Sequence, residues 1–275
     1  MTFMVLKDKR NMEEIEPFNA TEASYPYTGC SFSSILRERA EQMPAKTALI
    51  YGDRRVSYKD FADMAEALAG HLVENEVKPG DFVGIYAERS VEMIVAIYAV
   101  LRAGAVYVPL SPMYEKERLD YILEDCKPKA ILTYGTKLES SVYSVSLEKF
   151  PFHEKYEKLP DTECVDDQLI YCIYTSGTTG RPKGVMNYHK GLLNVIQWMQ
   201  SEFPLGKNDV ILQKTTFVFD VSASEILWFV LAGATLSIAE PGVEKDPGRM
   251  IEVIEKDHVT VIDFVPSMLS AFLMI

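Results

Sequence analysis

Apolar and polar residues follow two different periods along the chain, and the changes of period predict an ordered series of strands and helices. Short, nearly continuous apolar runs are typical of strands that are buried on both faces of a sheet. Such runs occupy residues 82–86, 105–110, 130–133 and 169–174. Stretches with apolar residues three or four positions apart separate the runs and predict helices with one apolar face.

The same alternation of strand and helix continues through the second half of the chain. Strands are predicted at 210–213, 235–239 and 260–264, and helices at 188–201, 222–232 and 247–257. Strands that alternate with helices form βαβ units, whose strands run parallel. We therefore expect an α/β fold of layered βαβ sheets flanked by helices. Residues 1–30 lack this periodicity and are predicted to be a lead-in segment to a folded region over 31–275.

One segment carries most of the chemical information. Residues 174–184 read Tyr-Thr-Ser-Gly-Thr-Thr-Gly-Arg-Pro-Lys-Gly and complete the predicted strand at 169–174. Glycines let the backbone approach a ligand closely, hydroxyls donate and accept hydrogen bonds, and Lys183 adds a positive charge. This combination predicts a phosphate-binding loop, and a flexible Ser/Thr/Gly linker is the alternative. The segment is not the P-loop, because Gly184 follows Lys183 where the P-loop has Ser or Thr.

Composition narrows the classes of partner. The chain has 275 residues, of which 48% are hydrophobic, so it can bury a sizeable core. Its net charge of −12 repels phosphate backbones and anionic lipids, so we expect neither a nucleic-acid nor a membrane partner. The four cysteines form no Cys-x-x-Cys pair, which is typical of reduced thiols. With no signal peptide or membrane-spanning run in the sequence, we expect a soluble cytoplasmic protein.

Four separated motifs resemble those of one family. The loop at 174–184 resembles the signature of the adenylate-forming, or AMP-binding, enzymes, which include acyl-CoA synthetases and the adenylation domains of nonribosomal peptide synthetases. Residues 102–110, 210–222 and 261–269 resemble further motifs of amino-acid adenylation domains, in the same order. The resemblance covers nearly the whole chain. It implies an incomplete N-terminal lobe of such a domain over 31–275, without the end of that lobe and without the small mobile lobe.

The resemblance implies a reaction in two halves. An amino-acid carboxylate attacks the α-phosphate of ATP to give an aminoacyl adenylate and pyrophosphate, and a phosphopantetheine thiol on a carrier protein then takes the aminoacyl group as a thioester. ATP, Mg²⁺ and the carrier-borne phosphopantetheine are the implied cofactors. The implied phosphate ligands are Thr175, Ser176, Gly177, Thr178, Thr179, Gly180 and Lys183. Thr175 and Lys183 are also the implied catalytic residues, because Lys183 would balance charge on the leaving pyrophosphate.

A second group of residues is implied to bind the amino acid. In amino-acid-activating members of the family, the aspartate that matches Asp220 holds the α-ammonium group. Val221, Ser224 and Asp263 match residues that line the side-chain pocket. Two carboxylates in a partly apolar pocket favour a basic amino acid such as arginine, ornithine or lysine, because each carboxylate then meets its own cation. As alternatives, Asp220 caps the helix that follows it, and Asp263 caps a helix near Ser267 or binds a neutral polar side chain.

Three functional hypotheses follow. The first is an amino-acid-adenylating ligase, and the second is a truncated, non-catalytic ATP-binding fragment that needs a missing lobe. The third is an acyl-CoA or aryl-acid ligase, which Asp220 disfavours because such acids carry no amine. The apolar segment 268–275 favours self-association through the C-terminal end. His189, five residues after the loop, is either close to the substrate or an ordinary packing residue.

Overall fold

A computed structural model of the protein describes residues 23–154, 156, 159–160, 167–176 and 181–274. The helices are α1 (Phe32–Gln42), α2 (Tyr58–Glu74), α3 (Val91–Arg102), α4 (Lys116–Cys126), α5 (His189–Glu202), α6 (Val221–Ala232), α7 (Pro247–Asp257) and α8 (Pro266–Phe272), with a 3-10 helix at Val243–Lys245. The strands are β1 (Thr47–Tyr51), β2 (Arg54–Ser57), β3 (Phe82–Ala87), β4 (Val106–Leu110), β5 (Ala130–Tyr134), β6 (Ser144–Ser146), β7 (Leu169–Ser176), β8 (Pro182–Tyr188), β9 (Val210–Gln213) and β10 (Thr235–Ile238). Across these described ranges, no helix combines the length and hydropathy needed to cross a membrane.

The strands form two sheets, as the βαβ pattern predicts. The larger sheet has six strands in the order β6-β5-β3-β4-β7-β8, and its neighbours run parallel except for the antiparallel pair β7 and β8. The smaller sheet has four strands in the order β2-β1-β10-β9, and here β2 is the antiparallel edge strand. The α/β class with layered βαβ sheets is therefore confirmed.

A layer of helices lies between the two sheets. All of α3 is buried, and it packs with α1, α2 and α6 in a core that strands of both sheets share. A helix that is apolar on every side is typical of this central position. Its two charged residues are paired near its ends, Glu92 with Arg54 at 2.6 Å and Arg102 with Glu66 at 2.6 Å. On the outer faces, α4 covers the larger sheet and α7 the smaller one.

Arg89 connects the two sheets directly. It follows β3 of the larger sheet, and its Nε donates to the Ala239 carbonyl, just after β10 of the smaller sheet, at 2.7 Å. The same guanidinium donates to the carbonyl of Lys214, just after β9, and to the carboxylate of Glu244. These bonds join the carboxyl ends of parallel strands from both sheets. The open end of the molecule, where loops follow the strands, is therefore held as one unit.

Hydroxyl side chains start several of the helices. Ser57 accepts a hydrogen bond from the Asp60 amide at 3.1 Å, and Ser90 accepts one from the Met93 amide at 3.1 Å. Both caps are predicted by the sequence, because a serine just before an apolar-periodic stretch satisfies an amide that the helix itself leaves unpaired.

The sequence-based prediction of a strand at 260–264 is wrong. Only Val261 makes an isolated bridge, to Ile211 of β9. The Val261 carbonyl accepts a hydrogen bond from the Leu212 amide at 3.0 Å, and the Thr260 and Val261 amides donate to the Val210 carbonyl at 2.9 and 3.1 Å. The chain then leaves the sheet for α8, which begins at Pro266, a residue that suits the first turn of a helix.

Two other local predictions also differ from the structure. Residues 182–184, expected in the loop, form the edge strand β8 together with residues 185–188, and the side chains of this strand are mostly exposed. An exposed edge strand has no buried face, so it leaves no periodic pattern in the sequence. Both tryptophans fall at apolar positions of a helical pattern, which predicts that both lie in the core; Trp228 of α6 is buried as this predicts, whereas Trp198 of α5 is 49% exposed.

We predict that Gly184→Ala lowers the free energy of unfolding by about 1–3 kcal/mol. A Cβ at this position would lie 2.8 Å from the Cys172 sulfur and 3.1 Å from Cζ of Tyr174, so buried side chains would have to move. The matched control is Gly191→Ala in α5, where a Cβ meets no atom within 4 Å. That variant should gain about 0.5–1 kcal/mol from helix propensity. Urea unfolding measures both, and equal effects would contradict the steric argument.

Candidate active site

The candidate phosphate loop lies at the tip of the β7–β8 hairpin. Thr175 pairs directly with Lys183, and Ser176 with Pro182. Residues directly opposite in an antiparallel pair carry their side chains on the same face, with Cβ atoms about 5 Å apart. The hydroxyl of Thr175 and the ammonium of Lys183 therefore stand side by side at the open end of the sheet, and both residues are exposed. The remaining predicted phosphate ligands, Gly177, Thr178, Thr179 and Gly180, lie outside the described residues.

Alternation along β7 tells which face Thr175 occupies. Tyr171 and Ile173 point into the core shared with the helical layer, whereas Cys172 and Tyr174 point to the outer face covered by α4. With a period of two residues, Thr175 lies on the same face as Tyr171. The Thr175–Lys183 pair is therefore directed to the side of the sheet on which α6 packs.

Asp220 lies close to this same face. Its carboxylate is one of the causes that raise the pKa of the Tyr171 hydroxyl, after the larger effect of burial. The segment after β9 carries Asp220 to the start of α6, where the residue is exposed. The structure therefore brings Asp220 toward the strand that ends in Thr175, although the two residues are far apart in sequence.

The helix-capping alternative for Asp220 is also present in the structure. Its Oδ1 accepts a hydrogen bond from the Val221 amide at 3.0 Å, at the N-terminus of α6. An ionised carboxylate can accept about four hydrogen bonds in total, so this bond leaves capacity for a ligand ammonium group. Capping thus fixes the orientation of the carboxylate and is compatible with binding.

Ser224 and Asp263 come together beside Asp220. The Ser224 hydroxyl donates to the Val221 carbonyl at 2.7 Å, one turn back along α6, and its oxygen is 3.5 Å from Asp263 Oδ2. The alternative that Asp263 caps a following helix is wrong, because α8 is preceded by Val265 and has no side-chain cap. Val221 is 45% exposed, so it contributes an apolar surface next to these polar groups.

A buried acid behind this pocket was missed by the sequence-based prediction. Glu225 is fully buried in α6, where it accepts hydrogen bonds from the Thr215 hydroxyl at 2.6 Å and the Thr215 amide at 3.0 Å. The Lys214 ammonium lies 3.8 Å away. Burial raises the pKa of Glu225, Thr215 and Lys214 oppose that rise, and the charge of Asp263 adds to it. The sequence does hold a signal for Glu225, because a carboxylate within the otherwise apolar stretch of α6 needs a partner when it is buried.

His189 is a packing residue rather than a neighbour of the loop. It begins α5 at the end of β8 away from the loop, and its amide donates a hydrogen bond to the carbonyl of Gln168, just before β7. Its ring stacks on Phe32 with 6.1 Å between centroids and is only 2% exposed. Burial lowers the pKa of His189 to about 4, so the ring is neutral at pH 7.

Comparisons with known proteins agree with the fold. Residues 36–274 match the family described as AMP-binding enzyme. The chain is 42% identical over 246 residues to zwittermicin A synthase ZmaJ of Bacillus cereus, covering 87% of this chain and 46% of that protein. It is similar to the AMPPNP-bound form of the nonribosomal peptide synthetase FmoA3, with a TM-score of 0.86 and 25% identity over 96% of this chain and 28% of that one.

A third similarity is to the N-terminal subdomain of NpsA from Klebsiella oxytoca, solved in complex with 3-hydroxyanthranilyl-AMSN. The TM-score is 0.79 and the identity 26%, covering 89% of this chain and 62% of that subdomain. The chain therefore belongs to the AMP-binding enzyme family of adenylate-forming ligases, and it matches the N-terminal part of a nonribosomal peptide synthetase adenylation domain. It spans less than half the length of ZmaJ.

We predict that His189 makes the fold sensitive to mild acid. The folded pKa of about 4 lies below the ordinary value of 6.5, so the unfolded chain binds the proton more readily. The resulting stability is complete above pH 6.5 and is lost as the pH falls toward 4. The free energy of unfolding of the wild type should fall between pH 7.5 and pH 5. In His189→Leu this fall should be smaller by about 2 kcal/mol.

Urea unfolding at the two pH values measures this effect. The control is His153→Leu, because His153 is exposed, and its pH dependence should match that of the wild type. An unchanged pH dependence in His189→Leu would contradict the assignment.

Proposed function

We propose that the chain is the part of an adenylation domain that activates an amino acid as an aminoacyl adenylate, with release of pyrophosphate. The aminoacyl group then passes to the phosphopantetheine thiol of a carrier protein, as in nonribosomal peptide synthesis. Residues 31–275 form a partial AMP-binding N-terminal lobe in this proposal, and residues 1–30 lead into it. The observation that carries the proposal is the cross-strand pair of Thr175 and Lys183, on the face of the sheet that Asp220 approaches.

The proposed roles follow from charge and position. Thr175, Ser176, Thr178 and Thr179 bind phosphate oxygens through hydroxyl and amide hydrogens, and Gly177 and Gly180 allow close approach of the backbone. Lys183 stabilises the negative charge that develops on the departing pyrophosphate. The protein need not form a covalent bond, because positioning and charge neutralisation are sufficient for phosphoryl-type chemistry.

Mg²⁺ would partly neutralise the phosphates when it is bound. Among the described residues, no group of three or more His, Cys, Asp or Glu side chains is placed to hold a metal ion. This fits an ion that arrives with ATP and keeps phosphate oxygens and water as its main ligands. The adjacent hydroxyl and ammonium of Thr175 and Lys183 fit the phosphates themselves.

The proposed substrate is an α-amino acid, and the pocket favours a basic one. Asp220 would hold the α-ammonium group, with its position fixed by the Val221 amide. Asp263, beside Ser224, would then meet a second positive charge on the substrate side chain. The other pocket carboxylate, Glu225, already has Lys214 as a nearby cation. Because Lys214 lies near Glu225, a cationic substrate side chain is the partner that we expect for Asp263.

The apolar end of the chain is included in the proposal as a contact surface. Val265, Leu269, Leu273 and Met274 are all exposed, with Met274 at 86%. An exposed apolar group of this kind is typical of a surface that meets another polypeptide. Self-association or contact with a further part of the domain would both bury it.

Amino-acid-dependent exchange of pyrophosphate into ATP tests the proposed function. We expect exchange with the wild-type chain in the presence of pooled basic amino acids, and a loss of about 10²–10³ in rate for Lys183→Ala. The matched control is Lys207→Ala, an exposed loop lysine away from the hairpin, which should exchange at the wild-type rate. A folded wild-type chain that binds Mg-ATP without exchange would instead identify a non-catalytic ATP-binding fragment.

The choice of amino acid is tested separately. Asp263→Ala should reduce the preference for arginine, ornithine or lysine over neutral amino acids by about tenfold or more, because a partly buried charge pair is lost. Asp220→Ala should reduce exchange with every amino acid to a similar degree. An unaltered preference in Asp263→Ala would contradict the basic pocket.

An aryl-acid ligase is the second candidate function. The similar NpsA subdomain is described in complex with 3-hydroxyanthranilyl-AMSN, an aryl-acyl compound, so the fold accommodates such substrates. Asp220 argues against this function here, because an aromatic acid offers the carboxylate no cation to bind: even the ring amine of an anthranilyl group is uncharged at neutral pH. Exchange that depends on benzoic-type acids and not on amino acids would favour it.

A further inference from the structure

Helix α4 holds the strand that leads into the candidate phosphate loop through two hydrogen bonds. The Tyr174 hydroxyl donates to Asp125 Oδ2 at 2.6 Å, and Arg118 Nη2 donates to the Tyr174 carbonyl at 3.2 Å. Both the side chain and the main chain of one residue are therefore fixed. That residue, Tyr174, is the last buried position of β7 before Thr175.

Aromatic contacts add to these bonds on both sides of the hairpin. The Arg118 guanidinium lies 4.4 Å from the centroid of the Tyr114 ring, which orients it toward β7. On the returning limb, the Arg181 guanidinium lies 5.9 Å from the centroid of Tyr121, also on α4. Contacts between a guanidinium and a ring face contribute about 0.5–1 kcal/mol at exposed sites. Helix α4 thus contacts the chain on both sides of the loop.

The anchoring helix is itself firmly placed. Leu119, Ile122 and Cys126 of α4 are buried in the apolar cluster on the outer face of the larger sheet. The ring of Tyr174 lies over Gly184, its cross-strand partner, where a Cβ would be only 3.1 Å from Cζ of the ring. The contacts that connect the larger sheet, α4 and Tyr174 are therefore made by buried or tightly packed groups.

The hydrogen bond between Tyr174 and Asp125 does not depend on pH in the physiological range. Burial raises the pKa of the Tyr174 hydroxyl far above its ordinary value, and the hydrogen bond to Asp125 adds to the rise. The hydroxyl therefore stays protonated and remains a donor at every physiological pH. A hydrogen bond to a charged acceptor is also stronger than one between neutral groups.

We propose that Tyr174, Asp125 and Arg118 are positioning residues that hold Thr175 and Lys183, one on each side of the phosphate loop, in a phosphate-binding arrangement. The inference rests on the proposed function, in which that loop binds the phosphates of ATP. These three residues need not touch the nucleotide. They act through Thr175 and Lys183, whose pairing at the hairpin tip they keep in place. Binding groups that are fixed in advance lose less conformational freedom when the ligand binds, so the ligand binds more tightly.

The experiment compares variants of the full chain with a control on the same helix. Tyr174→Phe and Asp125→Ala each remove the link, whereas Asp125→Asn keeps an oxygen that can accept the bond from the Tyr174 hydroxyl. The control is Asp120→Asn, which breaks the exposed Lys116–Asp120 pair, 2.9 Å apart, on the same helix. Hydrogen exchange of the 174–184 segment is measured without ligand. Affinity for Mg-ATP and for tripolyphosphate is measured by calorimetry, and urea unfolding is followed in parallel.

We expect Tyr174→Phe and Asp125→Ala to speed exchange in this segment by about tenfold and to weaken both ligands by about tenfold, which corresponds to one charge-assisted hydrogen bond. Asp125→Asn should give an intermediate effect of about threefold, because a neutral acceptor keeps about half of the bond strength, and Asp120→Asn should match the wild type. Exchange outside the hairpin should not change in any variant.

Two outcomes would overturn the proposal. Unchanged exchange in Tyr174→Phe would show that α4 does not anchor the loop. Faster exchange with unchanged affinity for both ligands, or lower global stability alone, would show that the link is structural and does not position phosphate-binding groups. A wild-type chain that binds neither ligand would contradict the proposed function instead, and the exchange comparison, which needs no ligand, would still decide whether the anchor exists.

Discussion

The arrangement of the candidate site depends on the bonds by which Arg89 joins the two sheets. On the phosphate side, Thr175 and Lys183 lie in strands of the larger sheet, whereas on the substrate side Asp220 lies in the segment that follows β9 of the smaller one. Each sheet could pack on the helical layer at many angles, because apolar contacts have no preferred direction. Arg89 removes that freedom, since its planar guanidinium donates to carbonyls just after β9 and β10 in fixed directions. The two halves of the site are thus aligned by a residue that belongs to neither.

The distribution of charge within the candidate site differs from the overall negative charge of the protein. A chain with a net charge of −12 does not attract a polyphosphate through its average field, so attraction must be local. In the proposed function, the ammonium of Lys183 and the neighbouring hydroxyl of Thr175 provide that local attraction. On the substrate side, Asp220, Asp263 and Glu225 are concentrated at the N-terminal half of α6, and Lys214 offsets one of these acids. The proposed site therefore has a cationic side for phosphate and an acidic side for an amine.

Most of the fold could be predicted from the sequence, and the failures share a physical cause. Strands β3, β4 and β7 are buried on both faces, so their apolar runs are unbroken, and α3 is recognisable because it lies between the sheets. Strand β8 could not be predicted, because its exposed side chains follow no period. Trp198 was misplaced for a related reason, since helical spacing identifies an apolar face but not whether another element covers it. Within the site, the motif indicated Lys183 and Asp220, but it did not reveal Glu225.

The sequence by itself determined the α/β class, the order of most elements and the residue types that form the candidate phosphate loop, because those properties depend on local period and on short motifs. The tertiary structure alone decided which of those residues meet. In the structure, Thr175 pairs with Lys183 in a hairpin, Asp263 lies next to Ser224, and His189 lies at the far end of β8. The tertiary structure also connects Tyr174 to Asp125, 49 positions away in the sequence. Such contacts depend on strand register and on the packing of distant segments, which no local pattern specifies.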